Sequence, residues 1–169
     1  DGTNGQGTSS INLTNMNSGG SLEIWCKITD TSGYRHIGGW RASSSMFYML
    51  LLNNTGEMEA RAKWSSNAET DIVTSDYGTS FWANNWNHIV FTNNTNDSSR
   101  FYLNGSFVSA SPASVYTFPS NDTFELMKTD NLSIATAAGR LSQVRVYSDT
   151  LSDSEVTHNY DVMKGRFGL

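Results

Sequence analysis

Hydrophobic and polar residues alternate along several short stretches of this chain. Over residues 21–28, four apolar residues share one face and three others lie opposite: Leu22, Ile24, Cys26 and Ile28 against Glu23, Trp25 and Lys27. Because successive side chains of a strand point to opposite faces, this period of two predicts a β-strand packed on one side. Residues 36–40 are expected to form another strand, and similar patterns predict strands over 57–64 and 140–147. On the last two, the inward side chains are predicted to be Met58, Ala60, Ala62, Trp64, Val144 and Val146. Residues 46–52 are apolar on both faces, which predicts a central strand.

Residues 86–108 predict consecutive antiparallel strands. The apolar runs 89–91 and 101–103 are rich in β-branched and aromatic residues, and polar turn-forming residues separate them. Asn104-Gly105 follows the second run at once, and Asn-Gly is the strongest short hairpin signal. The pattern therefore predicts a three-stranded meander.

The end of the chain shows the period of a helix. Ser152 followed by Glu155 forms the pattern of a capping box. An apolar stripe then runs along the segment: Val156, Tyr160 and Met163. These signals predict one short helix over about residues 152–164, stopped by Gly165 and packed against the rim of the strands.

Together these elements predict an all-β protein. Shorter strands are predicted at 11–13, 69–74, 124–127 and 132–135, and residues 75–85 are predicted to be a loop. About ten or more short strands with one terminal helix indicate a two-sheet antiparallel β-sandwich. The length of 169 residues fits a single domain.

Composition and charge exclude several classes of function. The net charge of −5 and the lack of a basic run argue against nucleic acid or an anionic membrane surface as partner. No apolar run approaches the roughly twenty residues of a membrane span, so no membrane insertion is expected. Cys26, the only cysteine, allows no internal disulfide and is interpreted as a buried small hydrophobe. With no signal peptide or initiator Met, Asp1 is expected to begin a processed or excised piece.

Five motifs along the chain occur in an order typical of one known family. They are WNHIVF at 86–91 with FYLNG at 101–105, GSLEIW at 20–25, GRLSQVRVY at 139–147, LSDSEV at 151–156 and DGTN at 1–4. The set resembles laminin-G-like domains of the concanavalin A-like lectin/glucanase superfamily. This resemblance implies a single jelly-roll domain over residues 1–169. It also implies mainly structural roles for Trp25, Trp86 and His88.

The resemblance raises the question of glucan hydrolysis, because relatives that cut β-glucans carry the pattern Glu-x-Asp-x-x-Glu on one strand. Glu69 and Asp71 reproduce the first two carboxylates, but Thr74 stands where the proton donor belongs. Retaining hydrolysis requires a nucleophile and an acid/base. Since threonine cannot protonate a leaving oxygen near neutral pH, no enzyme activity is expected.

The resemblance also raises the question of a bound calcium ion. Relatives often hold Ca²⁺ between backbone oxygens near the first turn and an Asp of the last strand, because hard cations favour oxygen ligands. At the matching place this chain has Ser142-Gln143, neither of which is charged. The last strand therefore supplies no carboxylate ligand. Calcium remains the candidate ion, with no certain cofactor, and its candidate ligands are Asp1, Asp30 and Asp122.

Carbohydrate binding requires aromatic rings that face the C–H surface of a sugar and planar polar groups that bind its hydroxyls. The chain offers candidates of both kinds: Tyr34, Trp40, Arg41, Trp82, Tyr102, Arg145 and Tyr147. Trp40 and Trp82 are flanked by small and polar residues and are expected to be the exposed platforms.

Seven Asn-x-Ser/Thr triplets are candidate glycosylation sites: Asn12, Asn53, Asn93, Asn96, Asn104, Asn121 and Asn131. A chain this rich in Asn and Thr also produces such triplets by chance.

The resulting hypothesis is a non-catalytic carbohydrate-binding or adhesion module of a larger extracellular or virion surface protein, such as a fibre or receptor-binding protein. Its partner would be a glycan or glycoprotein. The alternative is a structural or oligomerisation module of a fibre, filament or capsid decoration, whose partners are other copies of itself. A glucan hydrolase is the third and less favoured hypothesis.

Overall fold

The computed structural model describes residues 7–9, 16, 19–43, 46–64, 70–74, 76–94, 98–111, 124–127 and 135–169. The described strands are β1 (Gly7–Ser9), β2 (Gly20–Ile28), β3 (Arg35–Ser43), β4 (Met46–Leu52), β5 (Met58–Trp64), β6 (Thr70–Val73), β7 (Trp86–Asn93), β8 (Arg100–Leu103), β9 (Ser106–Ala110), β10 (Phe124–Leu126), β11 (Ala135–Thr136) and β12 (Gly139–Tyr147). The helices are α1 (Thr79–Trp82) and α2 (Asp153–Lys164), and a 3₁₀ turn, Gly165–Phe167, follows α2.

The described strands form two sheets. The first has seven strands in the order β1-β10-β3-β4-β5-β6, with β11 also on β3, and the second has five in the order β12-β2-β7-β8-β9. Neighbouring strands are antiparallel, except that β11 runs parallel to β3. This architecture confirms the predicted two-sheet antiparallel sandwich with one short C-terminal helix.

The core lies between the two sheets and follows the predicted period of two. Leu22, Ile24, Cys26 and Ile28 of the second sheet are at most 2% exposed and share one cluster with Met58 and Ala60 of the first. Val144 and Val146 pack against the same cluster, as predicted. The side chains of Ala62 and Trp64 lie outside the described part of the chain.

The meander turn is confirmed and also positions the helix. Asn104 and Gly105 have φ values of 49° and 79°, the left-handed pair that a tight hairpin turn requires. A Cβ atom at Gly105 would lie 2.8 Å from the ring of Tyr160 on α2. The hairpin therefore needs glycine here both for its backbone conformation and for the close approach of α2.

The capping box of α2 is present, because Ser152 accepts a hydrogen bond from the Glu155 backbone and Glu155 accepts one from the Ser152 backbone. Gly165 follows the last helical residue but keeps a right-handed φ of −61°, so the chain continues into the 3₁₀ turn. The left-handed residue is Gly168, with φ 75°. The predicted helix bounds are thus confirmed, whereas the chain reverses three residues later than Gly165.

Two further predictions need correction, and others are untested. Residues 75–85 were predicted as a loop but contain α1, which buries Trp82. The helix α2 was predicted to pack against the rim of the strands, but it lies across the outer face of the second sheet. The evidence is a hydrogen bond from Asn159 of α2 to Glu23 of β2, a central strand of that sheet. The strands predicted at 11–13 and over 132–134 fall outside the described residues. None of the described helices has the length and apolar character that a membrane span requires.

Candidate functional site

The outer face of the second sheet is largely covered by the C-terminal segment. Trp25 points outward from β2 but is 0% exposed. Its ring stacks on Phe167, with centroids 4.3 Å apart, and on Tyr160, at 5.8 Å. Val156 of α2 packs against Val90 of β7 and covers the neighbouring part of the face. Alternation along β2 therefore separates two buried faces, and it places Trp25 in a structural role.

A buried carboxylate lies under this cover. Glu23 is 0% exposed, and its Oε1 accepts a hydrogen bond from Arg145 at 3.0 Å and lies 3.3 Å from His88 Nε2. Its Oε2 accepts hydrogen bonds from the Tyr147 hydroxyl at 2.6 Å and from Asn159 at 3.0 Å. Arg145 and Tyr147, two predicted ligand-binding residues, are thus held by an internal cluster that ties β12 and α2 to β2.

The electrostatics of this Glu23 cluster follow from its burial. Burial alone would raise the pKa of Glu23, but His88, Tyr147 and Arg145 favour the charged form more strongly, so its pKa lies below the usual value. Burial and the hydrogen bond to Glu23 raise the pKa of Tyr147 to about 12. Glu23 is therefore a carboxylate and Tyr147 a neutral donor at physiological pH.

One part of the outer face remains open as a groove beside the N-terminus of α2. It encloses about 580 Å³ between the β7–β8 connection and the segment that enters α2. Its lining is Thr92, Asn94, Ser98, Arg100, Tyr102, Thr150, Leu151, Ser152, Asp153 and Ser154. Most of these side chains carry a hydroxyl group, and the others include one guanidinium, one carboxylate and one amide. We call this feature the β8–α2 groove.

Three side chains define the floor of the β8–α2 groove. Arg100 donates a hydrogen bond to Asp153 Oδ1 at 3.0 Å, and the Tyr102 hydroxyl donates one to the same oxygen at 2.7 Å. Burial and the acceptor Asp153 raise the pKa of Tyr102 to about 12, so its hydroxyl keeps its proton. The ring of Tyr102 is 1% exposed and packs with Val90 and Val156. Only its polar end is presented to the groove.

An exposed aromatic ring flanks the β8–α2 groove. Phe107 is 52% exposed, although it is the direct partner on β9 of Tyr102, which is buried on β8. The two rings meet edge to face with centroids 5.9 Å apart, and the Arg100 guanidinium lies 5.9 Å from the Phe107 centroid. Phe107 was absent from the sequence-predicted candidates. The sequence contained a signal for it, because a two-residue turn at Asn104-Gly105 places Phe107 opposite Tyr102 on the same face of the sheet.

The other predicted binding residues lie elsewhere. Tyr34 is 40% exposed in the turn before β3 and does not line the groove. Trp40 and Arg41 belong to β3, and their side chains lie outside the described part. The expectation that Trp82 is an exposed platform is wrong, because it is 0% exposed and donates to the Gly56 carbonyl at 2.7 Å. Of the seven candidates, Tyr102 lines the groove.

The candidate calcium ligands are not brought together in the part of the chain that the structure describes. Asp30 accepts hydrogen bonds from Ser32 and pairs with Arg35 at 2.8 Å, and these contacts lower its pKa. Asp1 and Asp122 are outside the described residues. No group of three or more His, Cys, Asp or Glu side chains suited to a metal occurs among those described. The geometry makes Asp30 part of a turn and an ion pair.

The residue at the proton-donor position has a structural role. Thr74 is 4% exposed, its Oγ1 accepts a hydrogen bond from the Met58 backbone, and its own N–H donates to the Met58 carbonyl, both at 2.9 Å. Glu69 and the side chain of Asp71 lie outside the described part. Thr74 thus extends the pairing of β5 and β6, and its hydroxyl is too weakly acidic to act as a general acid near neutral pH.

Three sequon asparagines use their amide nitrogen within the fold. Asn53 donates to Glu59 at 2.8 Å, and Asn93 donates to the Met16 carbonyl at 2.8 Å; these two side chains are 5% and 0% exposed. Asn104 donates to Asn87 at 3.1 Å in the hairpin turn. A glycan on Asn53 or Asn93 is incompatible with this packing. The remaining candidates, Asn12, Asn96, Asn121 and Asn131, lie outside the described residues.

Residues 1–157 match a laminin-G-type family model described as the concanavalin A-like lectin/glucanases superfamily. No curated protein sequence matches the chain. Solved structures with the same fold include the binding domain of botulinum neurotoxin DC with rat synaptotagmin II (TM-score 0.76, 14% identity) and the same domain with SialylT (TM-score 0.72, 15% identity). A third is a structure of botulinum neurotoxin type C, whose cell entry depends on interaction with two ganglioside molecules (TM-score 0.73, 14% identity).

These structures cover 94% of this chain, which spans 39–40% of theirs. At such identities the similarity shows the fold, and it confirms the jelly-roll sandwich.

Proposed function

We propose that this chain, which belongs to the concanavalin A-like lectin/glucanase superfamily, is a non-catalytic carbohydrate-binding module that holds a sugar in the β8–α2 groove. The observation that carries the proposal is the combination of a hydroxyl-lined groove with an exposed aromatic ring beside it. Sugar sites need both features, because a pyranose ring presents an apolar C–H face and a rim of hydroxyls.

Each part of the groove has a role in this proposal. Phe107 offers the platform for the C–H face. Arg100 and Asp153 lie 3.0 Å apart and supply a donor and an acceptor to adjacent sugar hydroxyls. Because Tyr102 holds Asp153 from below, the carboxylate keeps its orientation when the sugar enters. The groove is therefore preorganised for a ligand that donates and accepts hydrogen bonds.

The comparisons support a binding function without defining the ligand. The matched toxin structures include a binding domain in complex with rat synaptotagmin II and a neurotoxin whose cell entry depends on interaction with two ganglioside molecules. The proposal extends this to a glycan or glycoprotein partner and to a place on an extracellular or virion surface, as one module of a larger protein. The structural use of Thr74, which stands where hydrolytic relatives carry the proton donor, supports the absence of hydrolysis.

A glycan array followed by calorimetry tests the proposal with two matched variants. Phe107→Ala removes the exposed ring beside the groove, and Tyr34→Ala removes an exposed ring outside it. We expect wild type and Tyr34→Ala to bind the same glycans with equal affinity. Phe107→Ala should lose about fivefold or more, because aromatic anchors contribute upwards of about 1 kcal/mol. Unchanged melting temperatures show that both variants remain folded.

Two results would overturn the proposal. One is the absence of glycan binding by the wild-type protein at millimolar concentrations. The other is loss of binding in Tyr34→Ala with full binding in Phe107→Ala, which would place the site at the turn before β3.

A further inference from the structure

The described residues that line the β8–α2 groove carry no net charge. Among its described residues, Arg100 and Asp153 alone are ionic, and they form a salt bridge at 3.0 Å. The remaining side chains are hydroxyls, an amide, a leucine and a tyrosine. The guanidinium is thus already compensated by a carboxylate that belongs to the site. An anionic ligand would meet the charge of Asp153 together with that of Arg100.

The N-terminus of α2 does not make the groove attractive to anions. Helix N-termini favour negative groups because their N–H groups lack partners and their dipole is positive. Here the capping box satisfies backbone donors with the side chains of Ser152 and Glu155. Asp153 and Glu155 also place two carboxylates in the first turn. The chain itself therefore supplies the negative charge that the helix end favours.

Long-range electrostatics act in the same direction. The chain has a net charge of −5, which disfavours the approach of anions at low ionic strength. By contrast, hydroxyl side chains both donate and accept hydrogen bonds, as sugar hydroxyls do. The groups that line the groove are thus matched to an uncharged ligand: Thr92, Ser98, Thr150, Ser152 and Ser154.

We infer that the β8–α2 groove selects a neutral pyranoside and discriminates against carboxylated or sulfated forms of the same sugar. This inference rests on the proposed carbohydrate-binding function and specifies its ligand class. In it, Asp153 is the residue that sets specificity. It compensates the charge of Arg100, which would otherwise attract a sugar carboxylate or sulfate.

The test compares matched ligands on matched variants. Each neutral oligosaccharide that binds on the array is measured by calorimetry beside its sialylated and sulfated derivatives, at an ionic strength where the Debye length is about 30 Å. Asp153→Asn removes one negative charge inside the groove and keeps an oxygen acceptor for Tyr102. Asp161→Asn removes one negative charge from the same helix outside the groove lining. Both aspartates are exposed, so both variants should fold, which melting curves verify.

We expect the wild-type protein to bind each neutral sugar more tightly than its anionic forms, because an anionic group must be desolvated and Arg100, compensated by Asp153, offers it no net attraction. Asp153→Asn should shift this ratio about fivefold toward the anionic forms, the factor that follows from one close charge pair in water, and Asp161→Asn should leave it unchanged. Equal or tighter binding of anionic sugars by the wild type, or equal shifts in the two variants, would overturn the inference while leaving sugar binding established. Absence of binding to every glycan would instead refute the proposed function, and the inference with it.

Discussion

The Glu23 cluster predicts that one hydroxyl group has a large effect on stability. Tyr147 donates to Glu23 Oε2 at 2.6 Å, and the acceptor is 0% exposed. Tyr147→Phe deletes the hydroxyl and leaves the ring. Water cannot replace the lost donor while the C-terminal segment covers the site, so the buried charge loses part of its compensation.

The chain contains a matched control for this change. Tyr102 also donates to a carboxylate, Asp153, at 2.7 Å, but that side chain is 65% exposed. Tyr102→Phe therefore removes a hydrogen bond of similar length whose acceptor can be hydrated by solvent. We expect Tyr147→Phe to cost about 1.5–3 kcal/mol of unfolding free energy, the usual value for a hydrogen bond to a buried charge. Tyr102→Phe should cost about 1 kcal/mol or less.

The assay is urea denaturation of both variants and the wild type across a range of pH. The larger loss corresponds to a melting temperature lowered by about 3–12 °C for a domain of this size. Because the pKa of Glu23 in the folded state lies below its ordinary value of 4.5, the carboxylate stabilises the fold above pH 4.5. That contribution is lost as the pH falls through the lowered pKa. The difference between wild type and Tyr147→Phe should shrink over the same range.

Equal losses in Tyr147→Phe and Tyr102→Phe would refute the reasoning, since burial of the acceptor is the only argued cause of the difference. A loss in Tyr147→Phe that stays constant from neutral pH to below the pKa of Glu23 would also contradict it, because the effect would then not depend on the charge.

Three further predictions address the turn, the thiol and the absence of hydrolysis. Gly105→Ala should lower the unfolding free energy by about 1–3 kcal/mol more than Gly33→Ala, because both glycines have a left-handed φ but only a Cβ at position 105 would press on the Tyr160 ring; equal losses would refute the contact. Cys26 is buried and its pKa is raised to about 12 by burial, so it should resist a thiol reagent in the native protein and react in urea; fast native reaction would contradict this. Incubation with laminarin should release no reducing sugar, and release would disprove the structural interpretation of Thr74.

Local sequence signals predicted most of the fold. The strand at residues 46–52 has the bounds of β4, and the capping box correctly predicted the start of α2. These signals act within a few residues, through side-chain alternation or a single cap, so the sequence contains them directly. The position of α2 was not predicted correctly. An apolar stripe shows that a helix has a packed side without showing which surface it covers.

The candidate site was harder to predict, because exposure depends on contacts between distant segments. Alternation places Trp25 on the outer face, and Trp82 was expected to be an exposed platform, yet each is 0% exposed, one under Phe167 and the other at the Gly56 carbonyl. Phe107 is followed by Val108 in the sequence, yet it is 52% exposed. Tyr102 was a candidate because of its face on β8, and the structure places it in the lining of the groove, a feature that the sequence did not indicate.

The central claim is that a sugar binds in the β8–α2 groove. The most direct measurement is a titration of the ¹⁵N-labelled protein with the strongest array ligand, followed by amide chemical shifts. We expect concentration-dependent changes in amide chemical shift clustered at Thr92, Arg100, Phe107 and Ser152, and no change at Tyr34. Shifts confined to the turn around Tyr34, or no shifts at saturating ligand, would contradict it.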